Sequence, residues 1–220
     1  MDGEGPESRR IEVDHPHVRA VTFVTIVEDS LDDWADIWVD LVDRRCYSFT
    51  AYTPSQIARE MEEDGLLSHV DYDPLIVREM TVPCIVDGVS KILEMDCIDR
   101  IGILHGKSTS GPQSSCSGIK AIEWGRAEPA DAGAEIIVYL ADGRRYRFTA
   151  FSISSIIEEL DEPGRLSFVK EGLLVVRALN DDCIRKGLQE MLEAGVIERH
   201  GVRLDVARKE RRPGSPSSRN

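Results

Sequence analysis

A single internal repeat dominates this sequence. Residues 36–52, DIWVDLVDRRCYSFTAY, recur at residues 135–151 as EIIVYLADGRRYRFTAF. The same register runs without a gap from residues 35–103 to residues 134–202, at a constant offset of 99, and 29 of those 69 pairs are identical. Two segments with the same apolar pattern are expected to bury the same faces, so the sequence predicts an internal duplication.

The duplication divides the 220 residues into two units of about 90 residues each, a length that can support two modest cores or one shared core. The ends and the middle have compositions that do not favour a packed core. We therefore expect a disordered leader at residues 1–10, repeat 1 at residues 11–104, a Gly/Ser-rich linker at residues 105–118, repeat 2 at residues 119–203 and a basic disordered tail at residues 204–220.

Each repeat contains a predicted β-hairpin. Ile37, Val39 and Leu41 alternate with more polar residues, and this period of two is typical of strands with one buried face. In repeat 2 the turn contains Asp142-Gly143, which favours a type I′ turn. The first repeat has Arg44 in the glycine position, so either Arg44 adopts a left-handed conformation at an energetic cost or the turn changes type.

Two helices are predicted in each repeat. Thr53 and Ser152 are suited to cap the first one, and Asn180 the second one of repeat 2. The second helix carries a glycine on its apolar face, Gly88 or Gly187, which allows a close approach to a neighbouring element. Residues 98–103 and 197–202 are expected to add edge strands.

These elements predict an α+β fold. It consists of two homologous β-β-β-α-β-β-α units, each with helices on one side of an antiparallel sheet, packed as a pseudo-dimer about a pseudo-twofold axis.

Charge and cysteine content narrow the function classes. The net charge of −13 is unevenly spread, since basic residues cluster after residue 202, and an acidic body should repel nucleic acid and anionic membranes. A partner attracted by charge is therefore expected to be a basic protein. Five cysteines without CxxC spacing indicate reduced thiols, and no apolar run has the length of a membrane helix, so we expect a cytoplasmic protein.

The strongest candidate site residues are two arginines at equivalent positions. Arg78 and Arg177 follow apolar strands, and alternation predicts that they share a face with apolar residues. A partly buried guanidinium requires an acidic or carbonyl partner, and Glu60 and Glu159 recur at suitable positions. The pair either binds a ligand or partner at the repeat interface or forms structural or solvent contacts.

Three weaker patterns have structural alternatives. Cys84 and Cys183 begin equivalent helices, where a thiol is either activated or simply packed as a small apolar group. His15 and His17 provide two potential ligands, too few to close a tetrahedral metal site.

The third pattern is GxxxGKST, which includes Gly102, Gly106 and Lys107. It lacks one residue of the phosphate-loop spacing, and a chance match is the simpler interpretation. We assign no catalytic residue, metal or cofactor from the sequence.

Two functional hypotheses remain, beside a scaffold without a ligand of its own. The first is an acidic binding protein that contacts a basic partner through its surface or the groove between its repeats, with neutralisation of that partner as one role. The alternative is an enzyme or small-ligand sensor with an anion-binding site at the repeat interface, around Arg78 and Arg177. A closed pocket with polar groups favours the alternative, and a flat acidic patch with exposed aromatic residues favours the first hypothesis.

Overall fold

A computed structural model describes residues 8–24, 34–69, 74–104, 118–125 and 133–204. We call residues 8–104 the N-terminal half and residues 118–204 the C-terminal half. The expected tail lies outside the described residues apart from Leu204, and so does the expected linker apart from Gly118. Within the expected leader, residues 1–7 also lie outside the described part, whereas Arg9 and Arg10 belong to a strand.

The elements of the two halves follow one another in nearly the same order. Those of the N-terminal half are β1 (Arg9–Glu12), β2 (Val18–Phe23), β3 (Trp34–Leu41), β4 (Cys46–Tyr52), α1 (Pro54–Glu63), β5 (Ser68–His69), β6 (Pro74–Val77), α2 (Val82–Glu94), α3 (Ile98–Ile101) and β7 (Ile103–Leu104). Those of the C-terminal half are β8 (Ile119–Trp124), β9 (Ala134–Leu140), β10 (Arg145–Ser152), α4 (Ile153–Asp161), β11 (Ser167–Phe168), β12 (Leu173–Val176), α5 (Asp181–Glu193), α6 (Ile197–His200) and β13 (Val202–Arg203).

The fold is mixed α+β, and the thirteen described strands form two sheets. The first sheet has the order β1-β2-β3-β4-β6-β11, with β7 paired to β4, and the second has the order β5-β12-β10-β9-β8, with β13 paired to β10. The expectation of antiparallel sheets is wrong for two pairs, because β4 is parallel to β6 and β10 is parallel to β12. A helix connects the strands of each parallel pair and returns the chain in the same direction.

The hairpin turn at Asp142-Gly143 differs from the expected type I′, and Arg44 in the other turn adopts the left-handed conformation that was one of its two expected solutions. Arg44 N–H donates to the Leu41 carbonyl at 3.1 Å, and Gly143 N–H donates to the Leu140 carbonyl at 3.0 Å. Only the third residue of each loop has a positive φ, which is +74° at Arg44 and +90° at Gly143. Both loops therefore have three residues, a type I turn followed by a left-handed residue.

Side chains cap the helices as predicted. The Thr53 and Ser152 hydroxyls accept from backbone N–H groups at the starts of α1 and α4, and Asn180 accepts from Cys183 N–H at 2.9 Å at the start of α5. The expected edge strands at residues 98–103 and 197–202 are largely wrong, because one helical turn (α3 or α6) precedes a two-residue strand. The buried Ile98 and Ile197 anchor these turns on the two sheet cores.

The two halves exchange short strands. Although β5 belongs to the N-terminal half in sequence, it pairs with β12, and β11 of the C-terminal half pairs with β6. Arg78 N–H donates to the Leu166 carbonyl and Arg177 N–H to the Leu67 carbonyl, each at 2.9 Å. Each sheet is thus completed by backbone from the other half.

A glycine on each long helix makes room for the exchanged strand. A Cβ on Gly88 would lie 3.2 Å from Ser167 Cβ, and a Cβ on Gly187 would lie 2.8 Å from Ser68 Cβ. The two serine hydroxyls bind carboxylates on the same helices: Ser167 Oγ donates to Asp87 at 2.6 Å, and Ser68 Oγ donates to Glu190 at 2.5 Å. The expected close approach is confirmed, and the exchanged serines occupy that space.

Helices pack on both faces of the sheets. One apolar core lies between each sheet and its long helix, α2 or α5, and a third core joins α1 and α4 at the junction of the halves. On β6, Ile76 belongs to the third core while its neighbours Leu75 and Val77 belong to the first. Since side chains alternate along a strand, α1 and α4 contact the face opposite to α2 and α5. The expectation that all helices lie on one side is therefore wrong.

None of the helices in the described segments has the length and apolarity needed to cross a bilayer.

Candidate functional site: a cavity between the two halves

A small cavity lies where the two halves meet. It has a volume of about 40 Å³, measured over the positions that the centre of a water-sized sphere can occupy. The N-terminal half contributes Pro74, Ile92, Cys97 and Ile101, and the C-terminal half contributes residues 168–173 with Arg199 and His200. A site of this size fits a small head group.

Equivalent positions of the two halves meet at this cavity. Pro74 and Leu173 are 99 residues apart, and so are Ile101 and His200, and all four line it. The two single-turn helices α3 and α6, which carry Ile101 and His200, are in contact. The cavity is therefore a product of the junction and does not belong to either half alone.

The polar part of the lining is mainly cationic. Lys170, Arg199 and His200 contribute two permanent positive charges and an imidazole, against the single carboxylate of Glu171. The rest of the lining is apolar apart from Gly172 and the Cys97 thiol. In a chain with a net charge of −13, the cavity lining is therefore locally positive.

Aromatic rings hold the lysine beside the cavity. Lys170 Nζ lies 5.9 Å from the ring centroid of Phe151 and 5.8 Å from that of Phe168. The two rings meet edge to face, with 4.8 Å between their centroids. Since a cation is attracted to the face of an aromatic ring, both phenylalanines help to position the ammonium group.

Gly172 fixes the loop that carries Lys170. Its φ is +68°, and a Cβ there would lie 2.9 Å from the Arg147 carbonyl oxygen. The Gly172 carbonyl accepts from Thr149 N–H at 2.8 Å, so the loop is tied to β10. The lysine thus projects from a defined backbone position.

Arg199 and His200 are in the last turn of α6, where positive charge complements the free carbonyl groups of a helix end. Their backbone N–H groups donate to the Val196 carbonyl at 2.9 and 3.1 Å. Stabilisation of the helix end explains part of why these two residues lie there. Both residues also line the same cavity, which helix stability does not require.

The structure places the predicted arginines outside this cavity. Arg78 and Arg177 are both exposed, because each follows the last residue of its strand and the alternation of that strand does not extend to it. Arg177 Nη2 donates to the Met61 carbonyl oxygen of the other half. That bond is a structural contact across the junction.

The predicted acidic partners have other contacts. Glu60 accepts from Gln56 Nε2 at 2.7 Å and lies 3.5 Å from His69 Nδ1, and Glu159 lies 3.9 Å from Arg165. The four predicted residues therefore do not form one cluster.

The phenylalanine pair of the C-terminal half corresponds to a tyrosine–histidine pair in the N-terminal half. His69 meets the ring of Tyr52 edge to face, with 4.9 Å between the centroids, at the positions equivalent to Phe168 and Phe151. The ammonium group of Lys170 therefore lies beside two phenylalanine rings in the C-terminal half, whereas the equivalent pair in the N-terminal half contains a histidine.

A tyrosine with an acidic partner lies in the N-terminal half. Tyr47 Oη donates to Asp99 Oδ1 at 2.5 Å and accepts from Arg45 Nη1 at 2.9 Å. Burial, together with the Asp99 carboxylate, raises the pKa of Tyr47 to about 12. This phenol remains protonated near neutral pH, so it acts as a hydrogen-bond donor that ties α3 to β4.

The cysteines are packed or poorly ionised. Cys84 and Cys183 are buried in the two sheet cores. Burial and the neighbouring Asp40 raise the pKa of Cys46 to about 11, which disfavours the thiolate. Cys97 is a cavity residue, and its thiol donates to the Ile92 carbonyl at 3.5 Å.

The described residues of the remaining sequence patterns do not line the cavity. His15 Nδ1 accepts from the His17 and Val18 N–H groups at 3.3 Å each, and this turn carries the chain into β2. The described residues contain no cluster of three or more potential metal ligands. Of the phosphate-loop-like pattern, Gly102 packs against Phe49, whereas Gly106 and Lys107 lie outside the described residues.

Sequence reasoning missed Lys170, Arg199 and His200. One signal was available, because Arg199 is identical to Arg100 at the offset of 99. Lys170 has no such counterpart, since Asp71 occupies the equivalent position. All three basic residues belong to the C-terminal half, and the structure shows that they line one cavity although 28 or more residues separate Lys170 from the other two.

Comparison with known proteins provides no further assignment: no family model, curated protein or solved structure matches the chain.

Proposed function

We propose that the chain is an internally duplicated, pseudo-dimeric protein that binds a small organic anion in the cavity between its repeats. The observation that carries this proposal is the convergence of Lys170, Arg199 and His200 on an otherwise largely apolar cavity at the junction. Ligand sites commonly combine an apolar lining with a few convergent polar groups and lie between structural units.

The duplication is supported by the correspondence of the elements. Helices α2 and α5 begin and end 99 residues apart, and the exchanged strands β5 and β11 are also 99 residues apart. The reciprocal exchange has the form of an isologous contact, in which the same patch serves both partners. A ligand at the junction would contact both repeats and stabilise their association.

The cavity restricts the chemical class of the ligand. A small cavity with basic groups and an apolar wall fits a carboxylate or phosphate head with a short apolar body. We propose a binding or sensing role, since the cavity combines basic groups with an apolar wall. Cys46, Cys84, Cys97 and Cys183 form no disulfide within the part of the chain that the structure describes, which supports a reducing, cytoplasmic location.

Calorimetric titration of the full chain tests this proposal. The ligands are inorganic phosphate and the unbranched carboxylates from acetate to pentanoate. Lys170→Ala and Arg199→Ala should each weaken binding by about tenfold or more, because a hydrogen bond to a charged group contributes about 1.5–3 kcal/mol. Lys186→Ala and Arg165→Ala remove the same charges from exposed positions outside the cavity and should leave affinity unchanged. Failure of every ligand to bind, or equal losses in all four variants, contradicts the proposal.

The net charge of −13 favours a second candidate function, the binding of a basic protein partner. Such binding should weaken with ionic strength, since the Debye length falls from about 10 Å at 0.1 M to about 3 Å at 1 M. Affinity for a basic partner that does not change over this range of salt argues against this second function.

A further inference from the structure

The cavity at the junction has a negative group in its lining as well as positive ones. Glu171 contributes a carboxylate beside the cationic side chains of Lys170 and Arg199. It is half-buried, and it is the acidic residue among the described residues that line the cavity. A ligand that is only an anion would be attracted by the two cations and repelled by this carboxylate.

The backbone on both sides of Glu171 is anchored. The loop that carries Glu171 connects β11 to β12, and β11 pairs with β6 of the N-terminal half while β12 pairs with β10. Directly after Glu171, the Gly172 carbonyl accepts from Thr149 N–H at 2.8 Å. The same loop carries Lys170, so neighbouring residues of opposite charge line one small cavity.

The two halves contribute different chemistry to the lining. The N-terminal half contributes only uncharged side chains to the described lining, and Ile92, one of them, is 1% exposed. The charged side chains of the described lining all belong to the C-terminal half. A ligand that fits this arrangement has a short apolar body and carries charge at one end.

From this lining we infer that the ligand of the cavity is a small aliphatic α-amino acid in its zwitterionic form. The inference rests on the proposed function, anion binding at the junction, and narrows the chemical class of the ligand. Lys170 and Arg199 bind the carboxylate, for which the planar guanidinium group is well suited. Glu171 binds the ammonium group. The aliphatic side chain contacts Ile92 and Ile101.

An α-amino acid complements the charged lining because its carboxylate and its ammonium group are attached to the same carbon atom. A carboxylic acid without the amino group has nothing that Glu171 attracts. An amine without the carboxylate has nothing that Lys170 and Arg199 attract. Selection among ligands of similar size then arises from repulsion of the wrong ligands as well as attraction of the right one.

Calorimetric titration of the full chain at pH 7 with L-2-aminobutyrate, butyrate and butylamine tests the inference. The three ligands have the same number of carbon atoms and differ in their charged groups. L-2-aminobutyrate should bind about tenfold or more tightly than butyrate, because it gains a charge-assisted hydrogen bond to Glu171. Butylamine should bind most weakly, since the two cations of the lining repel it.

Variants of Glu171 separate its charge from its size. Glu171→Gln removes the charge with little change in size and should weaken the binding of L-2-aminobutyrate by about tenfold, without weakening that of butyrate. Glu171→Asp keeps the charge and should retain the preference for the amino acid. Glu158→Gln removes the same charge from an exposed position on α4 and should leave both affinities unchanged.

The contrary outcomes distinguish this inference from the proposed function. If butyrate binds as tightly as L-2-aminobutyrate, or if Glu171→Gln weakens both by the same factor, the inference is wrong while anion binding at the junction stands. If the amino acid binds equally well to Lys170→Ala and Arg199→Ala, it binds elsewhere and the inference is also wrong. If L-2-aminobutyrate, the carboxylates and phosphate all fail to bind, the inference and the proposed function fail together.

Discussion

Arg44 shows how one residue departs from what its turn requires. It has a φ of +74°, and its counterpart in the C-terminal half is Gly143 with a φ of +90°. A side chain in the left-handed region costs about 1–2 kcal/mol relative to glycine, part of which the greater freedom of glycine in the unfolded chain offsets.

Arg44→Gly should therefore stabilise the protein by up to about 1 kcal/mol, and Gly143→Ala should destabilise it by a similar amount. No heavy atom lies within 4 Å of a Cβ built on Gly143, so the expected loss reflects backbone strain alone. Urea unfolding of both variants measures the free energies. A loss of stability in Arg44→Gly contradicts this account of the turn.

Tyr47 leads to a prediction about alkaline pH. Burial and the Asp99 carboxylate raise its pKa in the folded state to about 12, whereas the unfolded value is about 10. The folded state therefore holds the proton more tightly, so its contribution to stability is complete below pH 10 and is lost as the pH rises from about 10 to 12.

Urea midpoints at pH 7, 10 and 11.5 test this prediction for the parent chain and Tyr47→Phe. The variant loses the hydrogen bond to Asp99 and should be less stable at pH 7, and the difference between the two proteins should shrink above pH 10. A difference that is constant across this range would show that the Tyr47 proton is not coupled to folding.

At the scale of elements, the long helices depend on glycine at the exchanged strands. A methyl group at position 187 would lie 2.8 Å from Ser68 Cβ and 3.0 Å from Leu174 Cδ1. Gly187→Ala should therefore destabilise the protein by roughly 1–3 kcal/mol through overpacking, although alanine favours a helix by about 1 kcal/mol.

Gln189→Ala on the exposed side of the same helix serves as the control for helix propensity and should change stability by less than about 0.5 kcal/mol. Thermal unfolding and hydrogen exchange at Ser68 measure the two effects. Equal stability of Gly187→Ala and the parent chain would show that α5 moves freely relative to β5.

Local sequence patterns predicted most of the helices and strands but not which strands pair with each other. The caps at Thr53, Ser152 and Asn180 and the close approach at Gly88 follow from short-range chemistry, which a sequence displays directly. The exchange of β5 and β11 does not, because a two-residue strand has too little pattern to specify its neighbour. The cavity lies at the junction where that exchange occurs. Lys170 and Arg199 line it, unlike the predicted Arg78, but in the sequence they look like ordinary surface charges.

At the scale of the whole molecule, the exchange makes the two halves interdependent. A fragment of residues 1–104 lacks β11 and leaves the junction residues Ile57, Met61 and Ile76 without their partners from the other half. We expect this fragment to form a homodimer by the same exchange, and to lack a stable folded monomer.

Sedimentation and circular dichroism of the fragment over a range of concentrations measure both properties. A folded monomer that melts cooperatively would contradict the interdependence of the halves. A melting temperature that rises with fragment concentration would support it.

Binding of an anion at the junction is the central claim, and amide chemical shifts of the full chain during titration with butyrate and with phosphate test it most directly. The account predicts saturable shifts at residues 170–172 and 199–201 of the C-terminal half together with residues 97–101 of the N-terminal half, and none of comparable size when the same ionic strength is reached with chloride. Shifts that are confined to one half, that cluster at Arg78 and Arg177, or that are absent at saturating ligand would contradict it.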